Sequence, residues 1–134
     1  MRLVLQTAGF LWASPYTALG LAIGTLGLIS GGRAQVRGRI IEFHGGTVTW
    51  FLSKLPGRPY AMAITFGHTV LGQSEAALDI CREHEMVHVR QYERWGPLMG
   101  PAYLLASLLL WLIGKDAYRD NPFERQAFDE VPER

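Results

Sequence analysis

Polar and apolar positions divide this chain into two charge-free runs and a mixed remainder. The first run, Leu3 to Ser30, contains no acidic or basic residue. It exceeds the roughly 20 residues that a helix needs to cross a bilayer. Ser14 followed by Pro15 reads as an N-cap and first-turn pair. The pattern therefore predicts a short piece over Leu3–Trp12 and a helix from Pro15 to about Ile29. Gly20, Gly24 and Gly27 recur along it at spacings of four and three, which lets membrane helices pack closely. A cleaved signal peptide is the competing reading, because Arg2 precedes the apolar run. Pro15 lies just past the one available cleavage point, Ala13, and the run continues beyond it, so the segment is read as uncleaved. The second run, Trp95 to Gly114, has Pro97 and Pro101 in its first turns and is nearly all aliphatic from Leu104 to Ile113. Three states suit it: a short membrane span, a buried core helix, or a helix lying at a membrane surface.

The remainder alternates. Ile40–Phe43, Gly45-Gly46 and Val48–Leu52 read as a β-hairpin with a two-residue turn. That register puts Ile41, Phe43, Val48 and Trp50 on an apolar face, and Glu42, His44, Thr47 and Thr49 on a face toward water. Pro56-Gly57 and Pro59 mark a loop. Ala61–Leu71 reads as a further strand, with Met62, Ile64, Phe66, His68 and Val70 on one face. Ser74 is a good N-cap for a helix from Glu75 to Trp95 that Gly96-Pro97 stops. Asn121, Pro122 and Glu124 have the N-cap, N1 and N3 spacing of a last short helix with a capping-box-like start.

Composition narrows the function classes. The 134 residues make one domain, plus at most a hydrophobic appendage. Apolar residues reach 49% and charged residues only 19%, which excludes intrinsic disorder. The net charge of +1 gives no footprint for a nucleic-acid partner. Cys81 is the single cysteine, so no internal disulfide forms.

One motif carries chemistry. His84-Glu85-Met86-Val87-His88 is an HExxH sequence inside the predicted Glu75–Trp95 helix. Residues four apart lie on one helix face, so both imidazoles can reach one Zn²⁺ ion. Glu85 can then deprotonate a water at the open position. Arg82, Glu83, Arg90, Glu93 and Arg94 flank the motif. A helix so charged does not sit in hydrocarbon, which weighs against an intramembrane site-2-protease-like enzyme. The metzincin extension is excluded, because Gln91 and Arg94 stand where that family needs Gly and His.

The stretch HEMVHVRQYERWG, then an apolar helix, then NPFERQAF, resembles small bacterial membrane-associated zincins of the gluzincin group. The resemblance covers about Ala61 to Phe128 and includes the HExxHxxQ pattern from His84 to Gln91. It implies an α+β minimal zincin-like domain with a small antiparallel sheet, an active-site helix and a third-ligand helix. It also implies a zinc-dependent peptidase activity with one Zn²⁺ per chain. The third ligand of that group is a Glu on a later helix. Asp116, Asp120, Glu124, Asp129 and Glu130 are the oxygen candidates. Glu124 is chosen, beside Phe123 and Phe128, with Asp120 next and with capping of its own helix as the competing role. His68 lies on a strand that borders the substrate cleft in zincins, so it is either a core residue or a transition-state contact. Tyr118 and Arg119 can stabilise an oxyanion, or serve as ordinary loop residues. Gln91 and Tyr92 can orient the ligands. Cys81 is read as structural.

This reading divides the chain into a membrane-embedded helix or hairpin at 1–30 and a metallopeptidase domain at 31–134 that includes an apolar helix at 97–113. A shared metal puts His84 and Glu124 on one side of the membrane, so Trp95–Gly114 is expected to pack on the active-site helix as core, with room to dip into the lipid. Arg33, Arg37 and Arg39 after the first run put the catalytic part on the cytoplasmic side. The function expected is hydrolysis of a peptide or protein substrate near membrane lipid. The alternatives are a non-catalytic, membrane-associated zinc-binding scaffold and the intramembrane protease.

Overall fold

The chain is mixed α+β. A computed structural model describes residues 2–54 and 62–131. In chain order it contains α1 (Arg2–Ile29), β1 (Arg33–Arg37), β2 (Ile40–His44), α2 (Thr47–Ser53), β3 (Ala63–Phe66), β4 (Thr69–Gly72) and α3 (Glu75–Trp95). A 3-10 turn (Gly96–Leu98), α4 (Met99–Leu112) and α5 (Pro122–Glu130) follow. The sheet runs β1-β2-β4-β3. Its outer pairs are antiparallel, but β2 and β4 are parallel. The sheet is therefore mixed rather than antiparallel, because α2 and β3 lie between β2 and β4 in the chain and provide the crossover that a parallel pair requires.

The hairpin expected over Ile40–Leu52 does not form. β2 pairs with β1 instead, across a two-residue turn led by Gly38 at φ 59°, a position that favours glycine. Thr47–Ser53 is helical although its residues favour strands. Burial decides against that propensity. Val48 and Leu52, four apart, are fully buried in one cluster with Phe43 and Leu71, while Trp50 is 61% exposed. The Ser30 hydroxyl accepts the Thr47 amide proton at 2.8 Å and so caps α2 from outside. Glu42 was expected to face water and is instead fully buried. Arg82 grips it with two hydrogen bonds of 2.9 Å, and Gln35 donates a third.

The strand expected at Ala61–Leu71 is a second hairpin. Gly67, at φ 60°, and His68 turn β3 into β4, so one alternating face does not run through; Ala61 and the Pro56–Pro59 loop lie outside the described residues. Helix α1 is also continuous where a break at Ser14 was expected. Pro15 has no N–H to give the Leu11 carbonyl. The Ser14 hydroxyl donates to that carbonyl instead, at 2.7 Å, so Ser14 mends the helix rather than starting one.

Helix α1 packs against α2, α3 and the sheet. Gly20 meets Phe66 and Thr69, Gly24 meets the Phe43 ring, and Gly27 meets Val48. The glycine stripe thus serves the helix's contact with its own domain. Two helical runs, Leu11–Ile29 and Glu75–Leu112, are each long and apolar enough to cross a membrane, the second joining α3 to α4. Helix α4 belongs to the core along one side only, since Leu104, Leu105, Leu108, Leu109 and Leu112 are each at least half exposed. Its inner side meets Tyr92, Phe123 and Ala13 through Met99, Ala102 and Tyr103.

Candidate metal centre

Two helices bring the motif residues together. Helix α3 starts at Ser74, whose hydroxyl accepts the Ala77 amide proton, and ends at Gly96, at φ 57°. Glu85, His88 and Gln91 are buried on its inner face, and His84 sits at the edge. Helix α5 starts at the buried Asn121, whose Oδ1 accepts the Phe123 amide proton at 2.9 Å. The Asn121 Nδ2 donates to the Tyr103 carbonyl and the Ser107 hydroxyl, which ties α5 to α4.

Glu124, one turn into α5, points at the histidines. Its Oε1 lies 3.1 Å from His84 Nε2 and 3.0 Å from His88 Nε2. Its Oε2 accepts the Tyr103 hydroxyl proton at 2.6 Å. The capping-box role is not taken up, since the Asn121 amide donates to the Tyr118 carbonyl. Glu85 is 3.9 Å from His84 Nε2 and accepts the Thr65 hydroxyl proton at 3.1 Å.

Hydrogen bonding sets the His88 tautomer. The Gln91 Nε2 donates to the Phe123 carbonyl and to Gln126 Oε1, at 3.0 and 2.9 Å. Gln91 Oε1 is then the acceptor for His88 Nδ1–H, at 2.8 Å. This leaves the lone pair of His88 Nε2 facing a carboxylate oxygen, an arrangement that needs a cation between them. A proton on His88 meets the need, and so does a metal ion. Two imidazole nitrogens and one carboxylate oxygen form the donor set that zinc takes in open, three-ligand sites. The ligand atoms of His84, Glu85 and His88 also lie within 4.8 Å of one another. Of the two carboxylates, Glu124 comes closer to His84 than Glu85 does.

Electrostatics separate the two carboxylates. Burial pushes Glu85 above the usual carboxylate range, against the pull of the two imidazoles. Burial acts the same way on Glu124, but hydrogen bonds from His84 and His88 outweigh it and hold that group well below the usual range. Burial pulls His88 down, and its bond to Glu124 with the charges of Glu85 and Glu124 raises it to about 9. Cys81 is a half-buried thiol pushed up to about 11 by burial and by Glu85, so it stays a neutral structural group.

His68 stands apart from this convergence, and Tyr118 borders it. His68 is buried in the β3–β4 turn and pairs through Nε2 with Glu93, which Arg39 also grips. Tyr118 is 38% exposed and packs on Phe128, the ring that lies against His84. Asp120 accepts the Asp116 amide proton within its own loop. Two participants were missed in the sequence, Tyr103 and Thr65. Tyr103 and Ser107, four apart in an otherwise apolar helix, are the signal that marks the inner face of α4. Compared with protein-family models, curated proteins and solved structures, the chain matches none.

Proposed function

We propose that this chain is a zinc-dependent metallopeptidase of the zincin kind, hydrolysing peptide bonds at or near a membrane on its cytoplasmic side. The observation that carries the reading is the convergence of His84 Nε2, His88 Nε2 and Glu124 Oε1 beside the buried Glu85. Bound zinc supplies a Lewis acid and lowers the pKa of a water toward about 7. Glu85 takes a proton from the attacking water and returns it to the leaving amine. Its raised proton affinity suits that return, and the Thr65 hydroxyl holds its Oε1 while Oε2 faces His84 Nε2 at 3.9 Å. Gln91 keeps the His88 proton on Nδ1, and Tyr103 anchors the far oxygen of Glu124. Strand β3 is one of the two edge strands of the sheet and carries Thr65, so an extended peptide pairing there runs past Glu85. The arginines at 33, 37 and 39 support the cytoplasmic side, because the cytoplasmic leaflet carries the anionic lipid that attracts them.

Zinc stoichiometry on detergent-purified protein, wild type beside Glu124→Ala, tests the reading. The expected result is one zinc per chain, with affinity lowered by about 100-fold or more in the variant. A wild type that holds no zinc after metal-replete purification overturns it. Full affinity in the variant removes Glu124 from the ligand set.

A further inference from the structure

We propose that α1 and α4 seat this protein on one leaflet of an anionic bilayer without crossing it, each helix lying along the surface with its bulky face in lipid. The inner face of α1 is the first argument. Gly9 rests on Glu93, the Thr17 hydroxyl accepts the His68 amide proton, and Gly20, Gly24 and Gly27 meet Thr69, Phe43 and Val48. At about 1.5 Å per residue, Gly9 to Gly27 spans about 27 Å, close to the about 30 Å of a hydrocarbon core. The helix is therefore committed to its own domain over nearly a full membrane thickness. A crossing would carry Arg39, Glu93, His68 and the sheet edge into hydrocarbon, where charged groups are costly.

The outer faces are the second argument. Both helices turn small or polar residues inward and large apolar ones outward. On α1, Gly9, Ala13, Gly20, Gly24 and Gly27 are buried, while Leu11, Leu26 and Ile29 are 70%, 54% and 79% exposed. On α4, Ala102, Tyr103, Ala106 and Ser107 are half-buried, while Leu104, Leu109 and Trp111 are 68%, 54% and 67% exposed. A helix facing water distributes size the other way. The exposed arc of α4 offers no hydrogen-bonding side chain except the Trp111 indole, whereas a protein partner's surface has a polar rim. That favours lipid.

Charge is the third argument. Cations bracket both charge-free runs at both ends: Arg2 and Arg33 for the first, Arg94 and Lys115 for the second. A helix flat in the interface keeps both ends at headgroup level, where anionic lipid attracts them. The seat goes beyond the metal reading and does not depend on it, although the inner face of α4 carries Tyr103 and so brings the metal centre close to the lipid boundary.

Arg2→Cys, Arg33→Cys, Arg94→Cys and Lys115→Cys, each made singly in a Cys81→Ser background, test the seat. They are treated with a membrane-impermeant maleimide in intact spheroplasts and in inverted vesicles, and far-ultraviolet circular dichroism of each purified variant checks its fold. The expected result is that the protein sediments with membranes and all four positions label from one side. Opposite sides for 2 and 33, or for 94 and 115, overturn the proposal. In a second assay, purified wild type is mixed with vesicles of phosphatidylethanolamine and phosphatidylglycerol, or of phosphatidylcholine alone. Binding at least about tenfold stronger to the anionic vesicles is expected. Binding only to membranes that keep their resident proteins shows a protein partner and overturns the seat, and equal binding to both vesicles overturns its anionic part. Neither assay reads zinc, so its failure leaves the metal reading standing, and loss of zinc leaves the seat standing.

Discussion

Helices α3 and α4 are joined through only Gly96–Leu98, yet α3 buries eight residues and α4 only Met99. Helix α3 is rich in charge, yet it buries Glu85, His88 and Gln91 and leaves Ile80 73% exposed. Helix α4 is almost wholly apolar, yet it exposes its leucines and turns Tyr103 and Ser107 inward. His88 and Gln91 of α3 and Tyr103 and Ser107 of α4 meet at one place, the Asn121–Gln126 stretch at the start of α5. Whether a polar atom finds a partner decides what goes inside here. Hydrophobicity alone places Leu78, Val87 and Val89 inside, but not Glu85, His88 or Gln91.

The largest expected effect breaks the chemistry of α3 alone. Glu85→Gln should lower hydrolysis of an unfolded protein such as casein by about 10²- to 10⁴-fold, with zinc content by atomic absorption unchanged. Full hydrolysis by the zinc-loaded variant would sink the general-base role.

Next comes the buried ion pair that anchors the other side of α3. Arg82→Met leaves the fully buried Glu42 without its cation. Removing one partner of such a pair costs about 3 kcal/mol or more, read as a lower urea midpoint. A midpoint within error of wild type would show that Gln35 alone satisfies Glu42.

That pair also shows where the sequence was legible. The bounds of α3 and the start of α5 could be read from Ser74, Gly96, Asn121 and Pro122, because caps act over three or four residues. His84 and His88 sharing a face followed from helical period for the same reason. Glu42 looked water-facing because its burial depends on Arg82, 40 residues away. The Thr47–Ser53 helix was hidden by strand-favouring side chains whose burial beneath α1 is a long-range event. Tyr103 was overlooked because its partner lies 21 residues on, across a loop.

A smaller effect should separate the two faces of α4. Tyr103→Phe removes the hydroxyl from Glu124 and should weaken zinc binding by about 10- to 100-fold, with membrane partition unchanged. Leu109→Asn should do the reverse, weakening sedimentation with anionic vesicles while zinc affinity holds. If either variant moved both readouts together, the two faces would not be separable.

The smallest effect concerns the end of α3. Burial raises the Glu93 carboxyl, but the bonds from Arg39 and His68 outweigh it and lower its pKa. A lowered carboxylate stabilises the fold above its unfolded pKa of about 4.3, and that contribution is lost as pH falls through the folded value. Glu93→Gln should therefore lower the melting temperature at pH 7 by a few degrees, and the gap to wild type should close below about pH 4. A gap that persists in acid would assign the effect to packing against Gly9.

The glycine stripe of α1 has a consequence for the order of synthesis. Helix α1 is made first, but the residues its stripe rests on, from Phe43 to Glu93, are made later. At about 5–20 residues per second, seconds pass before that face is covered. During that interval the nascent chain presents a long apolar helix, bare on both sides, at the ribosome exit. A bilayer that took up the proposed seat at that stage would hold the bulky side throughout, and so would serve as a folding surface before it served as an address.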